Sequence, residues 1–102
     1  MKECCRKYLN EQFGGDAEII GEIYGEYVSS VHAKLAEIGA ALAESDWTKL
    51  DRTAHTVKGN ALSTGDGAMA ETAIELRKMA ALKDAAGAAS LYARLGELEK
   101  EL

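Results

Sequence analysis

Apolar residues recur along most of this chain at the three- and four-residue spacing of an amphipathic α-helix. The longest such stretch runs from Asp16 to Glu44. Asp16 is a candidate N-cap, and Glu18 lies in the first turn, where an acidic side chain complements the helix dipole. The apolar positions of this stretch are Ile19, Ile20, Ile23, Tyr24, Tyr27, Val28, Val31, Leu35, Ile38 and Leu42. They predict one helix roughly 40 Å long, because each helical residue adds about 1.5 Å.

Three more helices are predicted after this long one, with short breaks between them. Ser45–Asp46 makes a break and a cap, and a helix then runs from Trp47 to near Gly65. Asp66–Gly67 is a turn signal before a helix from about Ala68 to Leu82, and Lys83–Asp84 forms the last link. The inward positions of the last two helices are Met69, Ala73, Leu76, Ala80, Leu91, Leu95, Leu98 and Leu102. We therefore expect four long amphipathic helices.

The first thirteen residues form a shorter amphipathic segment, which Gly14–Gly15 interrupts. Its candidate packing residues are Cys5, Tyr8, Leu9 and Phe13. Long amphipathic helices that are joined by links of two or three residues pack as antiparallel neighbours. We therefore predict an all-α fold, an antiparallel up-down-up-down four-helix bundle with a short extra N-terminal helix. Residues 1–102 are expected to form a single domain.

Composition supports packed helices and excludes several kinds of partner. The chain is 47% apolar but only 6% aromatic and contains no proline, which suits closely packed, uninterrupted helices. Its net charge of −5 argues against a nucleic-acid partner, since phosphate binding needs clustered lysine and arginine. No apolar run approaches the roughly 20 residues of a membrane span, and the first residues show no secretory signal. We expect a cytoplasmic protein without membrane contact.

The two cysteines, Cys4 and Cys5, are adjacent in the sequence. Metal sites need several ligands that converge, and no further cysteine is present to complete one. We expect a reduced pair in a fraying N-terminal segment and no metal centre.

One histidine has neighbours that suit phosphoryl chemistry. At about 100° per residue, Lys58 and Gly59 both lie beside His55, one helical turn further along. The opposite side of the same helix carries an apolar stripe of Leu50, Ala54, Val57 and Ala61. An exposed imidazole is a nucleophile, a lysine gives a point charge to phosphoryl oxygens, and a glycine leaves room for a partner. On spacing alone, an ordinary surface histidine remains the alternative.

A longer motif surrounds these three residues. It comprises Asp46-Trp47, Leu50, Ala54-His55-Thr56-Val57-Lys58-Gly59 and, ten positions after the histidine, Gly65. This stretch resembles the signature of histidine-containing phosphotransfer (HPt) domains, an A-H-x-[hydrophobic]-K-G core on the second long helix. The segment Phe13-Gly14-Gly15-Asp16 before a long helix also resembles that family. Leu62 and Thr64 depart from it, because the family usually has a small and an apolar residue there.

The resemblance implies a phosphorelay intermediate of two-component signalling. His55 would accept a phosphoryl group from the receiver aspartate of a response regulator, or from a (hybrid) histidine kinase, and pass it to another receiver aspartate. Lys58 would balance the charge of the phosphorylated ring, and Gly59 would leave room. The residues expected to dock the partner are Arg52, Leu62 and Ser63. The receiver would bring an acidic pocket and Mg²⁺, so we expect a phosphocarrier with no cofactor and no autonomous catalysis. We also expect it to be a monomer.

The main alternative is a helical-bundle adaptor that binds a signalling partner without phosphotransfer, in which His55 is dispensable. An enzyme with its own active site lacks support, since no acid–base set and no nucleotide-binding glycine loop is present. His32 has no lysine and glycine after it in the family's arrangement, so we expect it to have no function. Asp51 either holds the imidazole or is solvated, and solvation is favoured. The residues expected to be solvated surface are Arg77, Lys78, Glu97, Glu99, Lys100 and Glu101.

Overall fold

The computed structural model describes all 102 residues and contains five α-helices and no β-strand. In chain order they are α1 (Glu3–Phe13), α2 (Ala17–Ala43), α3 (Trp47–Thr64), α4 (Gly67–Leu82) and α5 (Ala85–Glu99). The predicted all-α fold, with a short N-terminal helix before four longer ones, is confirmed. The breaks fall where the glycine and aspartate signals predicted them.

An aspartate caps the N-terminus of each of the four longer helices. The four are Asp16, Asp46, Asp66 and Asp84. Each carboxylate accepts a hydrogen bond from the backbone N–H three residues further on, at 2.9 to 3.3 Å. Such a cap satisfies a donor that has no partner inside the helix and stabilises the helix by about 1 kcal/mol. Helix α3 ends at Gly65, whose φ of 80° lies in the left-handed region that glycine adopts readily.

The four longer helices form a ring of contacts around an apolar core. α3 contacts α2 and α4, α5 also contacts α2 and α4, and α1 lies against α2 and α3. The apolar stripe predicted on α3 is fully buried and consists of Leu50, Ala54, Val57 and Ala61. One side of α3 is therefore held by the core, and the opposite side faces solvent.

Two details of the predicted packing are wrong. Phe13 is 41% exposed and does not belong to the core. A glycine inside a helix costs about 1 kcal/mol relative to alanine and so predicts a close approach to the backbone, but Gly21 and Gly25 face open space. Gly39 does meet that expectation, since a Cβ there would lie 2.5 Å from the hydroxyl of Tyr92.

The N-terminal segment is anchored rather than frayed, because it binds a buried carboxylate between α3 and α4. Asp66 accepts hydrogen bonds from Lys2 Nζ at 2.8 Å and from the Tyr27 hydroxyl at 2.7 Å. We call these three residues the N-terminal anchor. Cys5 is fully buried beside it, which corrects the prediction of a fraying pair, whereas Cys4 is exposed and both thiols are free. Burial, reinforced by the charges of Cys4 and Asp66, raises the pKa of the Cys5 thiol from 9.0 to about 12.

Candidate functional site

His55 lies on the solvent side of α3, as its spacing predicts. Its side chain is exposed, whereas the four apolar residues on the opposite side of the helix are fully buried. The core therefore fixes the backbone beneath the ring. The imidazole is presented to solvent from a rigid element, which is the arrangement that a docking partner needs.

Arg77, on α4, is the neighbour of His55 that sequence patterns missed. Its Nη1 lies 3.0 Å from His55 Nδ1, and its Nε donates to Asp51 Oδ1 at 2.9 Å. The prediction that Arg77 and Asp51 are simply solvated is therefore wrong, although their side chains are 35% and 45% exposed. Arg77 follows His55 by 22 residues. No local spacing links the two, and only the packing of α4 on α3 brings them together.

Lys58 and Gly59 lie one turn after His55 on α3. Lys58 is half-buried and makes no ion pair, so its ammonium group is available to an anion. Gly59 is exposed, and a Cβ at this position would meet no atom within 4 Å. No internal contact requires glycine here, although an interior glycine weakens a helix by about 1 kcal/mol relative to alanine. The missing side chain clears the surface beside the imidazole.

An open groove of about 820 Å³ runs between α3 and α4 beside these residues. Trp47 and Ile74 give it apolar surface, and Asp51 is its single acidic residue. The cations that line it are Lys58, Arg77, Lys78 and Lys83. We call it the basic groove. Because the whole chain has a net charge of −5, the groove is a local concentration of positive charge, which suits a partner with an acidic surface.

The three predicted docking residues all reach the surface. Arg52 and Ser63 are exposed, and Leu62 is 55% exposed. The Ser63 hydroxyl donates to a backbone carbonyl one turn earlier, at 3.0 Å.

Polar contacts hold α3 against α2 on the other flank of the site. Asn60 Nδ2 donates to Ser30 Oγ at 2.8 Å and so links the two helices. Thr64 is buried, and its hydroxyl donates to the Asn60 carbonyl at 2.9 Å. A threonine is therefore accommodated where an apolar residue was expected, because its hydroxyl has a partner.

The second histidine, His32, has an environment of opposite charge. Its Nδ1 lies 3.1 Å from Glu99 Oε2, and its side chain is 84% exposed. Glu99 is 28% exposed in this pair, so the prediction that it is simply solvated is wrong. A phosphoryl group is anionic, and a carboxylate beside the ring disfavours it. His55, which faces a guanidinium, is the better placed of the two.

No metal centre accompanies the histidines. No group of three or more histidine, cysteine or acidic side chains is arranged to hold an ion. Every buried polar side-chain atom has a hydrogen-bond partner within the protein. None of the helices has the length and apolar character needed to traverse a lipid bilayer.

The family model described as "Hpt domain" matches residues 22–102. This region contains α3, α4, α5 and most of α2, and therefore His55 and Arg77. No curated protein and no solved structure matches the chain.

Proposed function

Since the chain belongs to the Hpt domain family, we propose that His55 is the residue that carries the phosphoryl group. Hpt domains take part in phosphotransfer in two-component signalling, as phosphocarriers rather than catalysts. The observation that supports His55 is its environment, an exposed imidazole 3.0 Å from a guanidinium and one turn before an unpaired lysine. His32 has an acidic partner instead.

The proposed reaction is an exchange between His55 and an aspartyl phosphate on a receiver domain. A ring nitrogen uses its lone pair to form an N–P bond, while the P–O bond to the aspartate breaks and its electron pair returns to the carboxylate. The reverse reaction delivers the phosphoryl group to the aspartate of a second receiver. The domain contributes position, because a ring held on a rigid helix meets the phosphorus in line when two proteins dock.

Two cations and one glycine support the phosphorylated state. Lys58 and Arg77 both line the basic groove, and their ammonium and guanidinium groups offset the negative charge of phosphoryl oxygens. Gly59 leaves the approach beside the ring open. The role of Lys58 is electrostatic, so the lifetime of the phosphohistidine is expected to depend on it.

The proposed partners are receiver domains and a (hybrid) histidine kinase. Arg52, Leu62 and Ser63 form the docking surface around His55, supported by their exposure. The basic groove extends this surface towards α4 and faces acidic groups of the partner. Net transfer runs from one receiver aspartate to another through His55.

The finer architecture belongs to the same proposal. We propose that α2 to α5 alternate up and down as an antiparallel four-helix bundle, and that residues 1–102 act as one monomeric domain. The short links at residues 44–46, 65–66 and 83–84 and the ring of helix contacts support the alternation. The N-terminal anchor supports the inclusion of α1 in the domain.

The experiment that tests the function compares two matched histidine variants, His55→Gln and His32→Gln. Each is incubated with a receiver domain that carries a radiolabelled aspartyl phosphate, and circular dichroism checks that the helices remain. His55→Gln is expected to abolish acid-labile, alkali-stable labelling, whereas His32→Gln leaves it intact. Equal labelling of His55→Gln, or loss of label in His32→Gln alone, contradicts the assignment.

The alternative function, an adaptor without phosphotransfer, predicts a different result in the same material. The basic groove does not require His55 for its shape or charge, and it supports binding in either case. If the wild-type protein binds receivers but takes up no label, the chain is an adaptor.

A further inference from the structure

The contact between Arg77 and His55 determines where the imidazole carries its hydrogen. A guanidinium group has five N–H donors, no acceptor, and a permanent positive charge. His55 Nδ1, which lies 3.0 Å from Arg77 Nη1, must therefore accept this hydrogen bond. A neutral imidazole has one donor nitrogen and one acceptor nitrogen. The hydrogen of the His55 ring consequently lies on Nε2.

In this tautomer neither ring nitrogen has a lone pair that is free to attack phosphorus. The lone pair of Nδ1 is directed at Arg77, and Nε2 has no free lone pair in the ring plane while it bears hydrogen. We propose that Arg77 holds His55 in a resting tautomer, and that Asp51 replaces Arg77 at Nδ1 when the ring reacts. This inference rests on the phosphoacceptor role of His55 proposed above.

Asp51 is positioned to be the second partner of the ring. It lies one turn before His55 on α3, and side chains four residues apart on a helix are neighbours, with Cβ atoms about 5–6 Å apart. Its Oδ1 accepts from Arg77 Nε at 2.9 Å, so departure of Arg77 frees the carboxylate and the imidazole together. An ionised carboxylate only accepts hydrogen bonds and therefore selects the Nδ1–H tautomer.

Arg77 is held loosely enough to move. Its side chain is 35% exposed and that of Asp51 is 45% exposed. Exposed ion pairs of this kind contribute at most about 1 kcal/mol. A phosphoryl group binds arginine through two parallel hydrogen bonds, which are charge-assisted. The phosphoryl group of a docked partner therefore competes with Asp51 for Arg77.

The step is balanced in atoms and charge. The neutral ring gives the Nε2 hydrogen to water and takes one from water at Nδ1, where Asp51 accepts the new N–H. The Nε2 lone pair then forms the N–P bond, and the P–O bond to the partner's aspartate breaks with its electron pair on oxygen. The ring keeps its Nδ1 hydrogen and becomes cationic, and the carboxylate of Asp51 offsets that charge.

The tautomer is measured directly by long-range ¹H–¹⁵N correlation spectra of the ¹⁵N-labelled protein at about pH 8.5, where an ordinary imidazole is neutral. The ¹⁵N shifts distinguish protonated from unprotonated ring nitrogens. We expect the hydrogen on Nε2 in His55 and on Nδ1 in His32, whose Nδ1 faces Glu99 and serves as an internal reference. A hydrogen on His55 Nδ1 in the free wild-type protein overturns the proposal.

Variants separate the two partners of the ring. Arg77→Ala is expected to increase the share of the tautomer with hydrogen on His55 Nδ1. The double variant Arg77→Ala/Asp51→Ala is expected to lose this preference for the Nδ1–H tautomer. Arg94→Ala, which removes an exposed arginine of α5, leaves the His55 shifts unchanged. Unchanged shifts in Arg77→Ala overturn the role of Arg77. Equal shifts in the single and double variants overturn the role of Asp51.

The position of the phosphoryl group completes the test. In phosphorylated protein, ³¹P–¹⁵N coupling is expected to place phosphorus on Nε2, and phosphorus on Nδ1 overturns the exchange of partners. The tautomer spectra need no phosphotransfer. If the protein takes up no label but shows the expected ¹⁵N shifts, the proposed function is refuted and the resting tautomer stands. If the protein takes up label but the ¹⁵N shifts differ from those expected, only this inference is refuted.

Discussion

Asp51 and Asp66 each bind one cation from elsewhere in the chain at nearly the same distance, 2.9 Å for Arg77 and 2.8 Å for Lys2. Asp66 is fully buried and its lysine is 13% exposed, whereas Asp51 and Arg77 are both more than a third exposed. Water screens the exposed pair, so it rearranges at little energetic cost. The buried pair cannot separate without leaving a carboxylate unsolvated. The same chemistry thus anchors one end of the molecule and leaves the His55 face adaptable.

The largest expected effect is the difference in stability between Asp66→Ala and Asp51→Ala. Asp66→Ala removes a helix cap and the partner of Lys2 and Tyr27, and we expect a loss of about 3–5 kcal/mol in the free energy of unfolding. Asp51→Ala removes an exposed pair and is expected to change it by at most about 1 kcal/mol. Urea unfolding followed by circular dichroism measures both. Losses of equal size would show that burial does not distinguish the two pairs.

Alkaline pH is expected to weaken the N-terminal anchor and spare the His55 face. Burial raises the pKa of Cys5 to about 12 and also raises the pKa of Tyr27. Burial opposes the charge of Lys2, but the hydrogen bond and charge of Asp66 prevail and raise its pKa. Above about pH 9 the unfolded chain therefore loses protons that the folded chain keeps, so stability falls as pH rises.

Urea unfolding at intervals from about pH 7 to about pH 10.5 checks this sign. The variant Cys5→Ala is expected to be less stable than the wild type at neutral pH and to lose less stability above pH 9. A wild-type stability that stays flat or rises over this range contradicts the assignment.

Charge reversal in the basic groove is expected to weaken partner binding with little effect on the fold. Lys78→Glu/Lys83→Glu should lower the affinity for a receiver about tenfold, equivalent to about 1.4 kcal/mol, and added salt should shrink the difference. The control Lys7→Glu/Lys100→Glu makes the same charge change on exposed residues of α1 and at the end of α5. Calorimetric titration with a receiver measures both, and equal losses in the two variants would remove the groove from the docking surface.

The smallest effects separate two exposed glycines. Gly59 and Gly25 both face open space, so alanine at either position should stabilise the protein by up to about 1 kcal/mol. Glutamine at position 59 is expected to slow phosphotransfer by obstructing the approach to His55, whereas glutamine at position 25 should not. Single-turnover transfer from a phosphorylated receiver compares the two. Equal phosphotransfer rates in the two glutamine variants would show that the absence of a side chain at Gly59 does not help a partner to approach His55.

The helices and their ends were predictable because their causes are local. Apolar spacing identified the buried stripe of α3 and, by exclusion, the exposed side of His55. Aspartates at the breaks identified the caps, since a cap acts within three residues of its own position. The prediction for Phe13 failed because its apolar character does not reveal whether another helix covers it.

The candidate site was only half predictable, because spacing reveals neighbours within one helix but not contacts between helices. Lys58 and Gly59 lie within one turn of His55, so spacing alone places them beside it. Arg77 was expected to be solvated because no local spacing pattern in the sequence connects it with His55. Asp66 was recognised as part of a turn, but its burial and its two partners depend on α1 and α2.

By itself, then, the sequence determined where helices begin and end and which side of each helix is apolar, because helical geometry repeats every few residues. Only the tertiary structure decided that Arg77 meets His55 across 22 residues and that Lys2 meets Asp66 across 64. Such pairs depend on how neighbouring helices are rotated and shifted against each other. That rotation is set by the packing of the whole core and not by any single segment.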